Sequence, residues 1–196
     1  MIRNHYNTAK PVLFSRYLAR RGLANIIHDP RFADTVRMND RNSILFPHFD
    51  LEGLCGFEIK GVNFTGFATG GKKGLWFSNF APNDCVLVIS ESGIDAMSFH
   101  LLYHPGHHRY ASTAGGIGSN QKELIRVAAN EIHKQGGFTV CAFDNDDQGR
   151  RYVEMVRELL SREQRKMMRV AIPKNHKDWN DLLVQRIHQG RRTPEA

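Results

Sequence analysis

The chain has 196 residues, 41% hydrophobic and 24% charged, which suffices for one full hydrophobic core and excludes wholesale disorder. Its 27 Lys and Arg against 20 Asp and Glu leave a net charge of +7, which favours a polyanionic partner. Cys55, Cys85 and Cys141 are widely spaced with no CxxC pair, so neither zinc nor a disulfide framework is expected, and the absence of an apolar leader or a run of about 18 apolar residues reads as a cytoplasmic protein with no membrane partner.

In chain order, Val12, Leu13, Tyr17 and Leu18 recur at helical spacing between Pro11 and Gly22, a helix decorated by Arg16, Arg20 and Arg21. Ser43–Phe46, Gly53–Lys60 and Leu75–Phe77 read as short strands parted by Gly-rich turns, an antiparallel meander. From Asp84 the rhythm changes. Val86–Ser90 is a strand, Gly93–Leu102 a helix and Arg109–Thr113 a second strand. Asn120 and Glu123 offer a capping box for a helix to Lys134. Phe138–Phe143 is a third strand, Gly149–Ser161 a helix, Met168–Ile172 a fourth strand, and a last helix starts near Trp179. Such alternation predicts an α/β fold, a mainly parallel sheet flanked by helices, with a small N-terminal α+β appendage of helix plus meander. The expected divisions are 1–83 for the appendage, 84–190 for the α/β domain and 191–196 for a flexible tail.

In parallel sheets the working site lies beyond the carboxyl ends of the strands, and two of these strands end there in carboxylates. Val86-Leu-Val-Ile-Ser runs into Glu91, and Val140-Cys-Ala-Phe runs into Asp144-Asn-Asp146-Asp147-Gln-Gly149. Carboxylates held so close repel unless a cation sits among them, and Mg²⁺, or Mn²⁺ in its place, takes such hard oxygen ligands while keeping waters for a phosphate. The same Asp-Asn-Asp-Asp-Gln-Gly run also reads as a polar turn capping the following helix, with Asp147 the residue most inclined to cap. Asp95, one turn after Glu91, either supports the site or meets the helix N-terminus. Asp178 and Asp181 form a third acidic cluster that completes a metal clamp or caps the last helix, with Trp179 as core anchor.

The basic residues Lys72 and Lys73, Arg150 and Arg151, and Lys174 and Lys177 gather in sequence around these acids and suit a nucleic-acid backbone. Thr113-Ala-Gly-Gly-Ile-Gly118 reads as a plain strand-to-helix turn, and His104-Pro-Gly-His107-His108 as an exposed loop rather than a metal site. Trp76, Phe77 and Trp179 are expected to pack in the core, with base stacking the lesser alternative.

Glu91 closing one strand and Asp144-x-Asp146-x-x-Gly149 closing a later one resemble the Toprim domain of primases, topoisomerases and related nucleases. Lys177-Asp178-Trp179-Asn180-Asp181-Leu182, Tyr17–Leu23 and Gly70–Gly74 look like the Toprim-bearing regions of plasmid mobilisation relaxases and of plasmid and phage primases. The resemblance implies that Glu91, Asp144 and Asp146 are catalytic, and that these three with Asp178 ligate Mg²⁺. Asp95, Asp147, Asp181 and Gly149 would then be supporting residues. It implies Mg²⁺-dependent phosphoryl or nucleotidyl transfer on DNA or RNA, single-stranded DNA above all, with nucleoside triphosphates as substrates if primase-like and a helicase or relaxase as a possible partner. A metal-dependent nuclease and a non-catalytic nucleic-acid-binding module are the alternatives; a topoisomerase lacks its tyrosine-bearing domain here. The short N-terminal region departs from the larger subdomain of full primases and puts independent priming in doubt.

Overall fold

The computed structural model describes residues 2–103 and 106–190. A short helix α1 (Ile2–Asn7), strand β1 (Lys10–Pro11), helix α2 (Arg16–Arg20) and a 3₁₀ turn (Ile26–His28) precede strands β2 (Arg37–Met38), β3 (Ile44–Asp50), β4 (Gly53–Lys60) and β5 (Thr65–Phe67). After these come β6 (Trp76–Phe77), β7 (Val86–Ser90), α3 (Gly93–Tyr103), β8 (His108–Ser112), α4 (Ser119–Lys134), β9 (Phe138–Ala142), α5 (Asp147–Leu159), α6 (Arg162–Met167), β10 (Arg169–Val170) and α7 (Trp179–Gly190).

The strands form two five-stranded sheets. The first, in the order β1-β2-β3-β4-β5, is antiparallel throughout, with a bulge at His48/Phe49 where β3 pairs with β4. The second runs β10-β9-β7-β8-β6; its β10-β9, β9-β7 and β7-β8 pairs are parallel and its β8-β6 pair antiparallel. The fold is thus mixed α/β, and the expectation of a mainly parallel sheet holds for the second sheet alone.

Every residue of β7 is buried, as a strand covered on both faces requires. Val86 and Val88 face one cluster with Ile94 and Met97 of α3 and Trp179, Leu182 and Leu183 of α7. Leu87 and Ile89 point the other way, to Leu124, Ile125 and Ala128 of α4 and Val153 and Val156 of α5. The first cluster also takes in Tyr17, Leu18, Leu23, Ile44, Phe46 and Trp76, so one apolar core runs from the second sheet into the N-terminal region. A third cluster lies between α1 and the first sheet, around Tyr6, Leu45 and Phe57.

Two close joints fix the sheets together. Gly93, the first residue of α3, leaves room for the Phe46 ring, which a Cβ there would approach to 2.4 Å. Arg31 forms a two-pronged pair with Asp84, at 2.6 and 2.8 Å, and Asp84 is wholly buried and also accepts from the Ala81 N–H at 2.8 Å.

Several local expectations are revised. The N-terminal helix is one turn, Arg16–Arg20, capped by Ser15, because Pro11 is drawn into β1 and Leu13 stays 80% exposed instead of lining an apolar stripe. Leu75 keeps an antiparallel bridge to Phe49 of β3, but Trp76–Phe77 leaves the meander: β6 pairs with β8, and Trp76 stacks on Phe32 and donates to the Thr35 carbonyl at 2.9 Å. The cap of α4 is made by Gln121, whose Oε1 accepts from the Gly118 N–H at 3.1 Å, while Glu123 pairs with Arg126. Strand β5 and helices α1 and α6 were not anticipated. His104 and the tail 191–196 fall outside the described residues, and His108 opens β8. No helix among the described residues is long and apolar enough to cross a membrane.

Removing Arg31 would leave the buried Asp84 carboxylate without its counter-charge. Arg31→Ala is expected to cost about 3–5 kcal/mol in urea unfolding; a loss under about 1 kcal/mol would show that water reaches Asp84.

Candidate metal centre and nucleic-acid cleft

The in-register parallel pairing Ser90↔Ala142 sets the carboxyl ends of β7 and β9 side by side. Glu91 follows directly from one end and Asp144 leaves two residues beyond the other. Past Asp144 the chain turns into α5 under the cap of Asp146, whose Oδ1 accepts from the Gly149 N–H at 2.8 Å. Gly149 is required there: a Cβ would sit 2.0 Å from the Asp144 carbonyl oxygen.

The third acidic segment is brought in by backbone and core contacts. The Trp179 indole N–H donates to the Ala142 carbonyl at 2.9 Å, pinning the start of α7 to the end of β9. The Asn145 N–H donates to the Lys177 carbonyl at 2.7 Å. Asp178 then caps α7, its Oδ1 accepting from the Asp181 N–H at 2.7 Å. Asn180 turns inward instead, bonded to the Arg21 guanidinium, the Arg21 carbonyl and the Ser98 hydroxyl.

Glu91, Asp95, Asp144 and Asp178 thereby line one cleft of about 340 Å³, with Tyr17, Arg21, Glu58 and Lys60 from the N-terminal region on its opposite side. Burial, then the charges of Asp95, Glu91, Asp178 and Asp146, push the Asp144 carboxyl up to about 8. Asp95 is buried and pushed to about 7 by that burial, opposed by the Ser92 hydroxyl, which donates to it at 2.5 Å. Burial also raises Glu91, as does Asp146, while Lys177 and Lys60 pull it back.

Among the described residues the buried Oδ1 of Asp144 has no hydrogen-bond partner. An orphaned carboxylate oxygen among further carboxylates is a poor site for a neutral group and a suitable one for a hard divalent cation. No group of three or more His, Cys, Asp or Glu side chains forms a ready-made cage among the described residues.

Other expected site residues are placed elsewhere. Asp147 is exposed and bound to Arg150, so the cap falls to Asp146; Arg151 is engaged by Gln148 at 2.9 Å. Asp181 is exposed on the first turn of α7, and Lys174 and Lys177 are exposed on the loop before it. Lys73 donates to the Ala114 carbonyl at 2.7 Å, beside the Gly115 turn against which Glu91 Oε1 lies. With Lys72 it lines a separate groove at the start of α4. Trp76 and Trp179 are fully buried, which leaves them to the core.

The sequence reading overlooked Glu58 and Lys60. They are two apart on β4 and so share a face, joined at 2.8 Å, and that face is the one turned to the acids. Glu58 is 5% exposed, its carboxyl raised by burial, and its Oε2 has no hydrogen-bond partner among the described residues. A Glu-x-Lys pair inside a strand was the available signal.

Residues 88–183 match the Toprim-like family model, and residues 16–84 match a family described as a protein of unknown function, DUF3991. The segment that holds the acids is thus similar to the Toprim-like family. No curated protein matches the chain significantly. Among solved structures, the primase fragment of the bacteriophage T7 primase-helicase protein is similar at 17% identity and a TM-score of 0.62, over 94% of this chain and 74% of that one. A T7 structure of lagging-strand DNA polymerase interacting with primase domains bound to an RNA/DNA hybrid and dTTP is similar at 17% identity and a TM-score of 0.59, over 94% and 91% of the two chains. The chain thus has a primase-like fold built on a Toprim-like domain.

Because the Asp144 and Asp95 carboxyls are raised above their unfolded values, the folded protein holds more protons than the unfolded one from about pH 4 up to about 8. Their contribution to stability falls as pH rises through that window. In chelator, the melting temperature of Asp144→Asn is expected to overtake that of the wild type as pH goes from 5 to 8.5. A constant difference would mean that Asp144 ionises freely in the folded state.

Proposed function

We propose that this protein carries out Mg²⁺-dependent nucleotidyl transfer on nucleic acid in the manner of a primase. The observation that carries the reading is the buried Asp144 oxygen, without a hydrogen-bond partner among the described residues, set among Glu91, Asp95 and Asp178 at the carboxyl ends of adjacent parallel strands. Glu91, Asp144, Asp146 and Asp178 would hold a divalent ion, which supplies neutralisation of the charge that develops on a transferring phosphoryl group.

The chain's own groups do the rest. Glu91, half-buried with its carboxyl raised, accepts the proton of the attacking hydroxyl. Asp146 spends one oxygen on the helix cap and leaves the other to the site. Lys60 and Lys177, whose charges reach Glu91, hold phosphate oxygens at the cleft, while Asp95 fixes the start of α3 through Ser92. Lys72, Lys73, Arg150, Arg151 and Lys174 serve the nucleic-acid backbone further out. Single-stranded DNA and nucleoside triphosphates are the proposed substrates, a helicase or relaxase the proposed partner, and the cytoplasm the proposed location.

Incubating the protein with single-stranded DNA, ribonucleotides and Mg²⁺ should yield short new strands. Asp144→Asn/Asp146→Asn should lower the yield by about a hundredfold or more. Shortened input DNA would convert the reading to a nuclease. Salt-sensitive binding with neither product would leave a binding module.

A further inference from the structure

A groove of about 770 Å³ lies beside the acidic cleft, between α2, the β2–β3 turn and the β4–β5 turn. Arg16, Arg20 and Arg41 line it and, among the described residues, no Asp or Glu does. All three arginines are exposed, and none of their guanidinium groups has a hydrogen-bond or ion-pair partner among the described residues. Two aromatic rings that the core does not use stand on its walls: Phe14 is 59% exposed and Phe64 58%. Phe64 sits at the end of a tight turn closed by the Gly61 N–H to its own carbonyl at 2.8 Å. Tyr17 lines both this groove and the acidic cleft, so the two adjoin there.

We infer that this groove is the track along which a single-stranded nucleic acid reaches the carboxylates. Unpaired guanidinium groups without a competing carboxylate suit a phosphodiester backbone, and flat exposed rings suit unpaired bases, whose faces a duplex conceals. A peptide partner would find no acid to pair with its own cations and three arginines demanding anions. The inference rests on the nucleic-acid reading above and adds to it a surface that the Toprim-like segment does not contain: Phe14, Arg16, Arg20, Arg41 and Phe64 all precede residue 88. The backbone rides on the arginines, bases stack on Phe14 and Phe64, and the strand passes Tyr17 to the acids.

Fluorescence anisotropy of the full chain with labelled oligonucleotides of about 12 nucleotides, DNA, RNA and duplex DNA, tests this. Phe14→Ala and Phe64→Ala should each weaken single-strand binding by about tenfold with the salt slope unchanged, and Phe64→Trp should restore it. Arg16→Ala/Arg20→Ala/Arg41→Ala should weaken binding and reduce the salt slope by about 2. Melting temperatures should stay near the wild type, since these side chains are exposed. Wild-type affinity in the groove variants overturns the track while leaving the chemistry of the acids in place. No binding of any oligonucleotide by the wild type overturns both. Concentration-dependent self-association abolished by Phe64→Ala would instead assign the groove to a second copy of the chain and overturn the track.

Discussion

Mutual repulsion among carboxylates, held together by backbone that cannot release them, is the constraint around which this molecule is organised. Glu91 and Asp144 stand at the ends of two buried strands locked in register from Val86↔Phe138 to Ser90↔Ala142. Asp146 and Asp178 are committed as helix caps, and Asp95 is enclosed in the first turn of α3. None can turn to solvent without giving up a cap, a strand end or a buried contact. The cost appears as raised carboxyls and, among the described residues, an Asp144 oxygen with no hydrogen-bond partner.

The N-terminal region bears on the site because the core does not stop at its border. Phe46 of the first sheet packs against Gly93. Asn180 ties Arg21 to Ser98 by hydrogen bonds. That packing turns the Glu58–Lys60 face of β4 onto the acids and lays the arginine groove alongside. The result is one cleft with a carboxylate wall from the Toprim-like segment and a largely basic wall from the residues before it.

The α/β half was legible because its signals are local. Buried runs such as Val86–Ser90 and Phe138–Ala142 end in acids, and strand-helix alternation places those ends on one side of a parallel sheet. The N-terminal half was less so. Periodicity suggested an amphipathic helix from Pro11, whereas Pro11 is taken by a strand pairing with Arg37 and Leu13 by solvent. Leu75–Phe77 looked like one more meander strand; Leu75 does bridge to Phe49, but the partner of Trp76, Ser112, is 36 residues beyond it and carries no local mark of the pairing. Asp147 reads from sequence as the cap, and only the turn geometry at Gly149 gives that place to Asp146. Phe14 and Phe64 were passed over for the tryptophans because sequence alone does not tell an exposed ring from a buried one.

The most direct test of the shared carboxylate site is a calorimetric Mn²⁺ titration at pH 7.5, comparing the wild type with Asp144→Asn and with Asp147→Asn. If the carboxylates share the ion, the wild type and Asp147→Asn bind alike and Asp144→Asn binds at least about tenfold more weakly. Equal affinity in all three proteins would contradict it.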